Sequence, residues 1–284
     1  LFFELALQDL SRAADMFLPV HERTATVDGF VSLEVSPLLA YDTEATVAEA
    51  KRLFERARKP NLFIKIPGTK EGLPAVEEAI YSGVSVNVTL LFSSQHCIDA
   101  ADAYMKGLER RVAEGLSPDV RSVASVFVSR WDKAVIDKAP AELKDKLSIA
   151  VSTQAYRDYR RLLDSDRWQR LESMGARPQR LLFASTSTKD PSAPDTLYVE
   201  ALAAPNTVNT MPDKTLLAFG DHGKLSEVLS PDGGDCEETL AAFEKAGISV
   251  ADLAAQLQKE GTASFVKSWE DLLQSIETKS KALG

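Results

Sequence analysis

Cysteine is nearly absent from this chain. Cys97 and Cys236 are the only two in 284 residues, too few and too far apart for a disulfide framework or a thiolate metal site, which predicts a reducing, cytoplasmic setting. Histidine is equally scarce: His21, His96 and His222 show neither HxxxH nor CxxC spacing, so a resident metal is not expected. A cationic surplus is missing too. The 33 Lys and Arg against 42 Asp and Glu leave a formal charge of −9, which argues against a nucleic-acid surface and leaves small molecules as the expected ligands. No apolar run approaches the roughly 18 residues of a spanning helix, and Leu1–Ala6 lacks the basic flank of a signal peptide, so no membrane association is expected. Gly-x-Ser-x-Gly is absent, and no glycine-rich phosphate loop or dinucleotide fingerprint follows a strand, so neither a serine-hydrolase triad nor a nucleotide cofactor is expected.

What is present is core and alternation. At 44% hydrophobic the chain has ample material for a core, and without a repeat, low-complexity segment or composition break, residues 1–284 are expected to form a single domain. The central stretch is Asn61-Leu62-Phe63-Ile64-Lys65-Ile66-Pro67-Gly68-Thr69. Strand side chains alternate faces, so Leu62, Ile64 and Ile66 point one way, Phe63 and Lys65 the other, and an ammonium is placed inside an apolar strand. Taking an ammonium out of water favours loss of its proton, and a neutral lysine amine is the nucleophile that forms Schiff bases with carbonyl compounds.

Strand-like runs at 29–36, 61–67, 84–91, 122–130, 180–185 and 207–211 alternate with helical spacing at 1–19, 43–58 (Thr43 as N-cap), 71–81, 94–114, 131–176 with a break near Pro140, and 195–204. From Lys214 onward the chain reads as helical apart from a polar loop at Ser230 to Asp235. This order predicts right-handed parallel β/α units. Central strands of a doubly wound sheet are apolar on both faces, whereas 29–36 and 84–91 each carry one polar face. A face bearing Ser32, Glu34, Lys65, Asn87 and Thr89 fits the interior and mouth of a (β/α)₈ TIM barrel, whose chemistry sits at the strand C-terminal ends. Six of eight units are visible, and the chain opens inside a helix without a methionine, so N-terminal residues are expected to be missing.

Three successive strands thus converge polar groups on Lys65. Glu34 and Thr89 are expected to hold a water for proton transfer and Asn87 to bind a substrate hydroxyl, the plainer reading of Glu34 being an ion pair with Lys65. Arg130 has the donor fork for a phosphate or carboxylate and Ser125 a hydroxyl to add; alternatively Arg130 pairs with Asp132. Lys189, in Ser185-Thr186-Ser187-Thr188-Lys189, is a candidate to finish an anion site or a plain loop residue. Trp131, Trp168 and Trp269 read as packing residues.

Gly29-Phe30-Val31-Ser32-Leu33-Glu34-Val35-Ser36-Pro37, the lysine strand, Val86-Asn87-Val88-Thr89-Leu90-Leu91-Phe92 and Thr207-Val208-Asn209-Thr210-Met211-Pro212 together resemble the transaldolase family in its bacterial form. The resemblance implies a cofactor-free transferase of the pentose phosphate pathway in carbohydrate metabolism. It would move a dihydroxyacetone unit from sedoheptulose 7-phosphate to glyceraldehyde 3-phosphate, giving erythrose 4-phosphate and fructose 6-phosphate. It implies Lys65 as the Schiff-base lysine, Glu34 as the acid/base group, Asn87 and Thr89 as the motif beyond the lysine, and Ser125 and Arg130 on the phosphate side. The six strands would be the third to eighth units of the barrel, and the family's first-strand aspartate has no counterpart here. A second phosphate-binding arginine is expected in the loop after the seventh strand, where Lys189 stands instead. Two rivals remain: a fructose 6-phosphate aldolase, and a non-catalytic sugar-phosphate-binding fragment. Either a monomer or a small homo-oligomer fits the sequence.

Overall fold

The computed structural model describes residues 2–225 and 227–283. Its centre is a six-stranded, all-parallel sheet with the strands in chain order: β1 (Val31–Glu34), β2 (Leu62–Pro67), β3 (Val86–Leu91), β4 (Ser122–Phe127), β5 (Arg180–Ala184) and β6 (Thr207–Asn209). Helices join them: α1 (Phe2–Arg23), α2 (Thr43–Ala57), α3 (Gly72–Tyr81), α4 (Ser94–Ala113), α5 (Arg130–Val135), α6 (Leu147–Leu163), α7 (Asp166–Ser173), α8 (Leu197–Ala201), α9 (Asp213–His222), α10 (Cys236–Lys245) and α11 (Val250–Leu283). Sequential parallel order produces a sheet curled in one direction, a half-barrel with helices outside, as parallel β/α units require.

Alternation sorts the two faces. Leu33 of β1 and Val35 just after it, Ile64 and Ile66 of β2, Val86 and Val88 of β3, Ala124 and Val126 of β4, and Leu181 and Phe183 of β5 belong to one large core against the helices. The opposite residues, Phe63, Val123 and Leu182, form a separate small cluster with Phe30, Ala184 and Val208 at its edge. Phe30 stacks on Phe63 with centroids 4.1 Å apart. This inner cluster fills the N-terminal part of the concave face and leaves the C-terminal part to polar side chains. Trp131 and Trp168 are fully buried, and Trp269 packs on Phe2 and Phe3.

Several local expectations are corrected. Asp42, not Thr43, caps α2: its extended backbone lets the carboxylate accept from Ala45 N at 2.9 Å, while the Thr43 hydroxyl donates to Glu71 O. Among the described residues the non-helical stretch before α10 begins at Gly223, well ahead of Ser230. β3 is not a uniform alternating strand either; its register with β4 slips between Val88 and Leu91, and Leu90 takes a φ of 60°. Such a bulge re-aims side chains at a strand end.

The turn after β2 explains its sequence. Thr69 Oγ1 donates to Ala40 O and accepts from Gly72 N at 3.0 Å, tying β2 to the 3₁₀ turn after β1. At Gly72 a Cβ would lie 1.8 Å from Pro67 O, so only glycine lets α3 start this close to the strand.

Candidate active site

Register across β1, β2 and β3 aligns Glu34 with Lys65 and Lys65 with Asn87. Lys65 Nζ lies 3.3 Å from Glu34 Oε2, and the side chains are 25% and 26% exposed. The expectation of an enclosed lysine is therefore corrected: β1 is the sheet edge, so the row is open along one side, and Ser32 is exposed there. A carboxylate this close to the amine serves as an ion-pair partner when the lysine is charged and as a proton acceptor when it is not.

Asn87 is held on both sides. Its Nδ2 donates to Ser32 Oγ at 3.3 Å and its Oδ1 accepts from Ser125 Oγ at 2.6 Å, with Asn87 and Ser125 both buried. These bonds leave the amide one free N–H. They also direct the Ser125 hydroxyl at Asn87 rather than at Arg130, and Ser125 does not line the cleft around Arg130. Thr89, two residues further along β3, is fully buried, and its Oγ1 has no hydrogen-bond partner among the described residues. An unpaired buried hydroxyl costs stability, and it stands beside the bulge at the rim of the concave face.

A second cluster lies at the C-terminal ends of β4 and β5. Arg130 opens α5 with its guanidinium 4.8 Å from the Phe127 ring and 5.8 Å from the Phe265 ring of α11. Burial pushes it below the usual arginine value, partly opposed by Glu260. Its expected alternative partner is engaged elsewhere: Asp132 is buried and accepts from Leu147 N, Ser148 N and Tyr198 Oη. Among the described residues no carboxylate lies within ion-pair distance of Arg130, so its donor fork remains available. Lys189 and Lys133 line the same cleft of about 450 Å³. Burial, reinforced by the charges of Lys133 and Arg130, lowers the proton affinity of Lys189. Sequence reasoning missed Lys133. The available signal was its position three residues after Arg130, which on a helix puts both side chains on one face.

The histidines have other duties. His96 Nδ1 accepts from Phe92 N at 3.2 Å, His21 bonds the Asp28 carbonyl, and His222 sits between Asp195 and Asp221 at the surface. No described helix is long and apolar enough to cross a membrane.

A curled parallel sheet with a lysine, a carboxylate and a cation-lined cleft along its C-terminal rim defines the class, an α/β chain of TIM-barrel-like form with its polar residues at the strand C-terminal ends. Comparison with known proteins agrees. The family described as Transaldolase/Fructose-6-phosphate aldolase matches residues 1–276, and the chain belongs to it. It is 48% identical to "Transaldolase" of Parafrankia sp., over 94% of this chain and 75% of that protein. It is 46% identical to "Transaldolase 1" of Streptomyces avermitilis, over 97% and 75%, and 41% identical to "Transaldolase 2" of Nostoc punctiforme, over 100% and 79%.

Proposed function

We propose that the chain is a transaldolase, a transferase of pentose phosphate metabolism in the cytoplasm that carries a dihydroxyacetone unit from sedoheptulose 7-phosphate to glyceraldehyde 3-phosphate on Lys65. The observation that carries this reading is the lateral row Glu34–Lys65–Asn87, with Lys65 3.3 Å from a carboxylate. Family membership and relatives named transaldolase support it. The neutral Lys65 amine adds to the ketose carbonyl, and the carbinolamine loses water to give an imine. The bond between the third and fourth sugar carbons then breaks as the hydroxyl on the fourth gives up its proton. The aldose phosphate leaves, and the electron pair stays on the Lys65-bound fragment as an enamine, which attacks the acceptor aldehyde. Hydrolysis of the new imine frees the amine.

In this scheme Glu34 exchanges protons through a water that the unpaired Thr89 hydroxyl helps to hold. Asn87 binds a substrate hydroxyl through its remaining N–H, and Ser125 keeps that amide oriented. Arg130 and Lys189 take the phosphate. The six strands, all within one domain over 1–284, stand for units three to eight of an eight-unit barrel, a reading supported by their sequential parallel order and the open edges at β1 and β6. The protein acts as a monomer or small homo-oligomer.

Borohydride reduction in the presence of fructose 6-phosphate should fix a three-carbon adduct on Lys65, found by peptide mass mapping. A Lys65→Ala variant that still traps the fragment elsewhere would refute the assignment. The family also includes fructose 6-phosphate aldolases; release of free dihydroxyacetone without an acceptor aldose phosphate would favour that activity instead.

A further inference from the structure

The cleft between the ends of β4 and β5 and helix α11 carries more charge than the roles of Arg130 and Lys189 account for. Arg130, Lys133 and Lys189 line it together with Glu260, Ser185 and Ser264. Three cationic side chains and one carboxylate share one space, a surplus of two positive charges. A phosphate monoester is mainly a dianion near neutral pH, so the surplus and the ligand charge match. The walls have separate origins. Lys133 stands on α5 three residues after Arg130, Lys189 follows β5, and Glu260 comes from α11, where its Oε1 accepts from Gln256 Nε2 at 2.7 Å. Lys133 and Glu260 are both exposed, at the wet rim of the cleft, while Arg130 is drawn inward between Phe127 and Phe265. Among the described residues neither Lys133 nor Arg130 forms an ion pair, so neither cation is committed to another carboxylate.

We propose that Lys133 and Glu260 are a charge-setting pair for this cleft: Lys133 is a third phosphate-binding cation beside Arg130 and Lys189, and Glu260 subtracts one charge so that the site matches a dianionic phosphate monoester. The proposal rests on the transaldolase reading for the identity of the substrate, but not for the existence of the anion site. Lys133 raises affinity for the phosphate end of donor and acceptor alike. Glu260 lowers it and weakens retention of anions with more than one phosphate.

The test uses the full chain and two variants, Lys133→Ala and Glu260→Gln. Calorimetry measures the affinity for inorganic phosphate, and steady-state kinetics measures KM and kcat for fructose 6-phosphate with an acceptor. One charge at a partly wetted rim changes affinity by about five-fold. Lys133→Ala should therefore weaken phosphate binding and raise KM by about that factor, with a smaller change in kcat and a flatter dependence on salt. Glu260→Gln should move affinity and KM the opposite way, by about three-fold, and should tighten fructose 1,6-bisphosphate more than inorganic phosphate. If both variants keep phosphate affinity within about two-fold of the parent, or if both move it in the same direction, the pairing is refuted. Borohydride trapping of unphosphorylated dihydroxyacetone on the unsubstituted protein reports on Lys65 separately. Its failure would refute the transaldolase reading while the phosphate titrations still decide the charge pair.

Discussion

The seating of α11 on the half-barrel should depend on one amide. Gln258 of α11 donates from Nε2 to Gly68 O and to Leu90 O, both at 3.0 Å, so one side chain ties the helix to the ends of β2 and β3. Gly68 and Leu90 are buried. Replacing Gln258 by leucine keeps the volume but removes both donors and leaves two carbonyls unpaired. At about 1 kcal/mol net per bond, and somewhat more for each carbonyl denied water, the loss is about 3 kcal/mol. For a chain of this size each kcal/mol shifts Tm by roughly 2–4 °C, so the expected fall is about 6–12 °C. Scanning calorimetry reads it directly, with Gln274→Leu, an exposed position on the same helix, as the control. Gln258→Glu should be at least as harmful, because an ionised carboxylate cannot donate and repels both oxygens. A Tm within about 1 °C of the parent for both Gln258 variants would refute this account of how α11 is held.

Other outcomes follow from single residues. Thr89→Val removes a buried hydroxyl that has no partner, so Tm should hold or rise slightly while kcat falls about 10²-fold if the hydroxyl holds the catalytic water; a kcat within two-fold would exclude that role. Asp132→Ala strips the acceptor from Leu147 N, Ser148 N and Tyr198 Oη, and equilibrium urea unfolding should show a loss of about 3–4 kcal/mol. The pH dependence of phosphate affinity should reflect Lys189. Its proton affinity is held down by burial and by Lys133 and Arg130, and among the described residues Glu260 is the only acidic group lining that cleft. On the proposed roles Lys189 attracts phosphate only while it is charged, so its share of the affinity is lost as pH rises through its lowered pKa. Lys133→Ala removes one repelling charge, so phosphate titrations should show that loss beginning at higher pH; an unmoved alkaline limb would contradict it.

Order and facing were legible in the sequence because they depend on local periodicity. The placement of Ile64 and Ile66 outward and of Lys65 inward follows from alternation alone, and the pleat of β2 keeps it. The lateral row of Glu34, Lys65 and Asn87 was legible for the same reason, since neighbouring parallel strands of similar length bring similar depths together. Partner choice was not legible. Thr43 and Asp42 are both good caps, and Asp42 prevails because the Thr43 hydroxyl finds Glu71 O across 28 positions. Asp132 looked like a partner for Arg130 because it is near in sequence; the start of α6 and Tyr198 offer it three donors in the dry interior instead. Lys133 gave too weak a signal, being one exposed lysine on a short helix until β5 and α11 supply the rest of its cleft.

The rim was hardest to foresee because its strain and its support come from distant parts of the chain. Leu90 and Ser185 hold left-handed φ values of 60° and 59° immediately beyond Thr89 and Ala184, a conformation that costs a non-glycine residue roughly 1 kcal/mol or more. Nothing in Val88-Thr89-Leu90-Leu91 announces it. What holds Leu90 in place is Gln258, 168 positions away, and one turn later Gly261 lets α11 come close enough to reach. A Cβ at Gly261 would lie 3.0 Å from Leu90 Cδ2 and 3.2 Å from Arg130 Nη1. The same helix then sets Phe265 against the Arg130 guanidinium. One segment thus supports the bulge beside Thr89 and the Arg130 guanidinium. Loosening α11 should therefore impair proton transfer and phosphate binding together, whereas a change confined to Lys133 should affect phosphate binding alone.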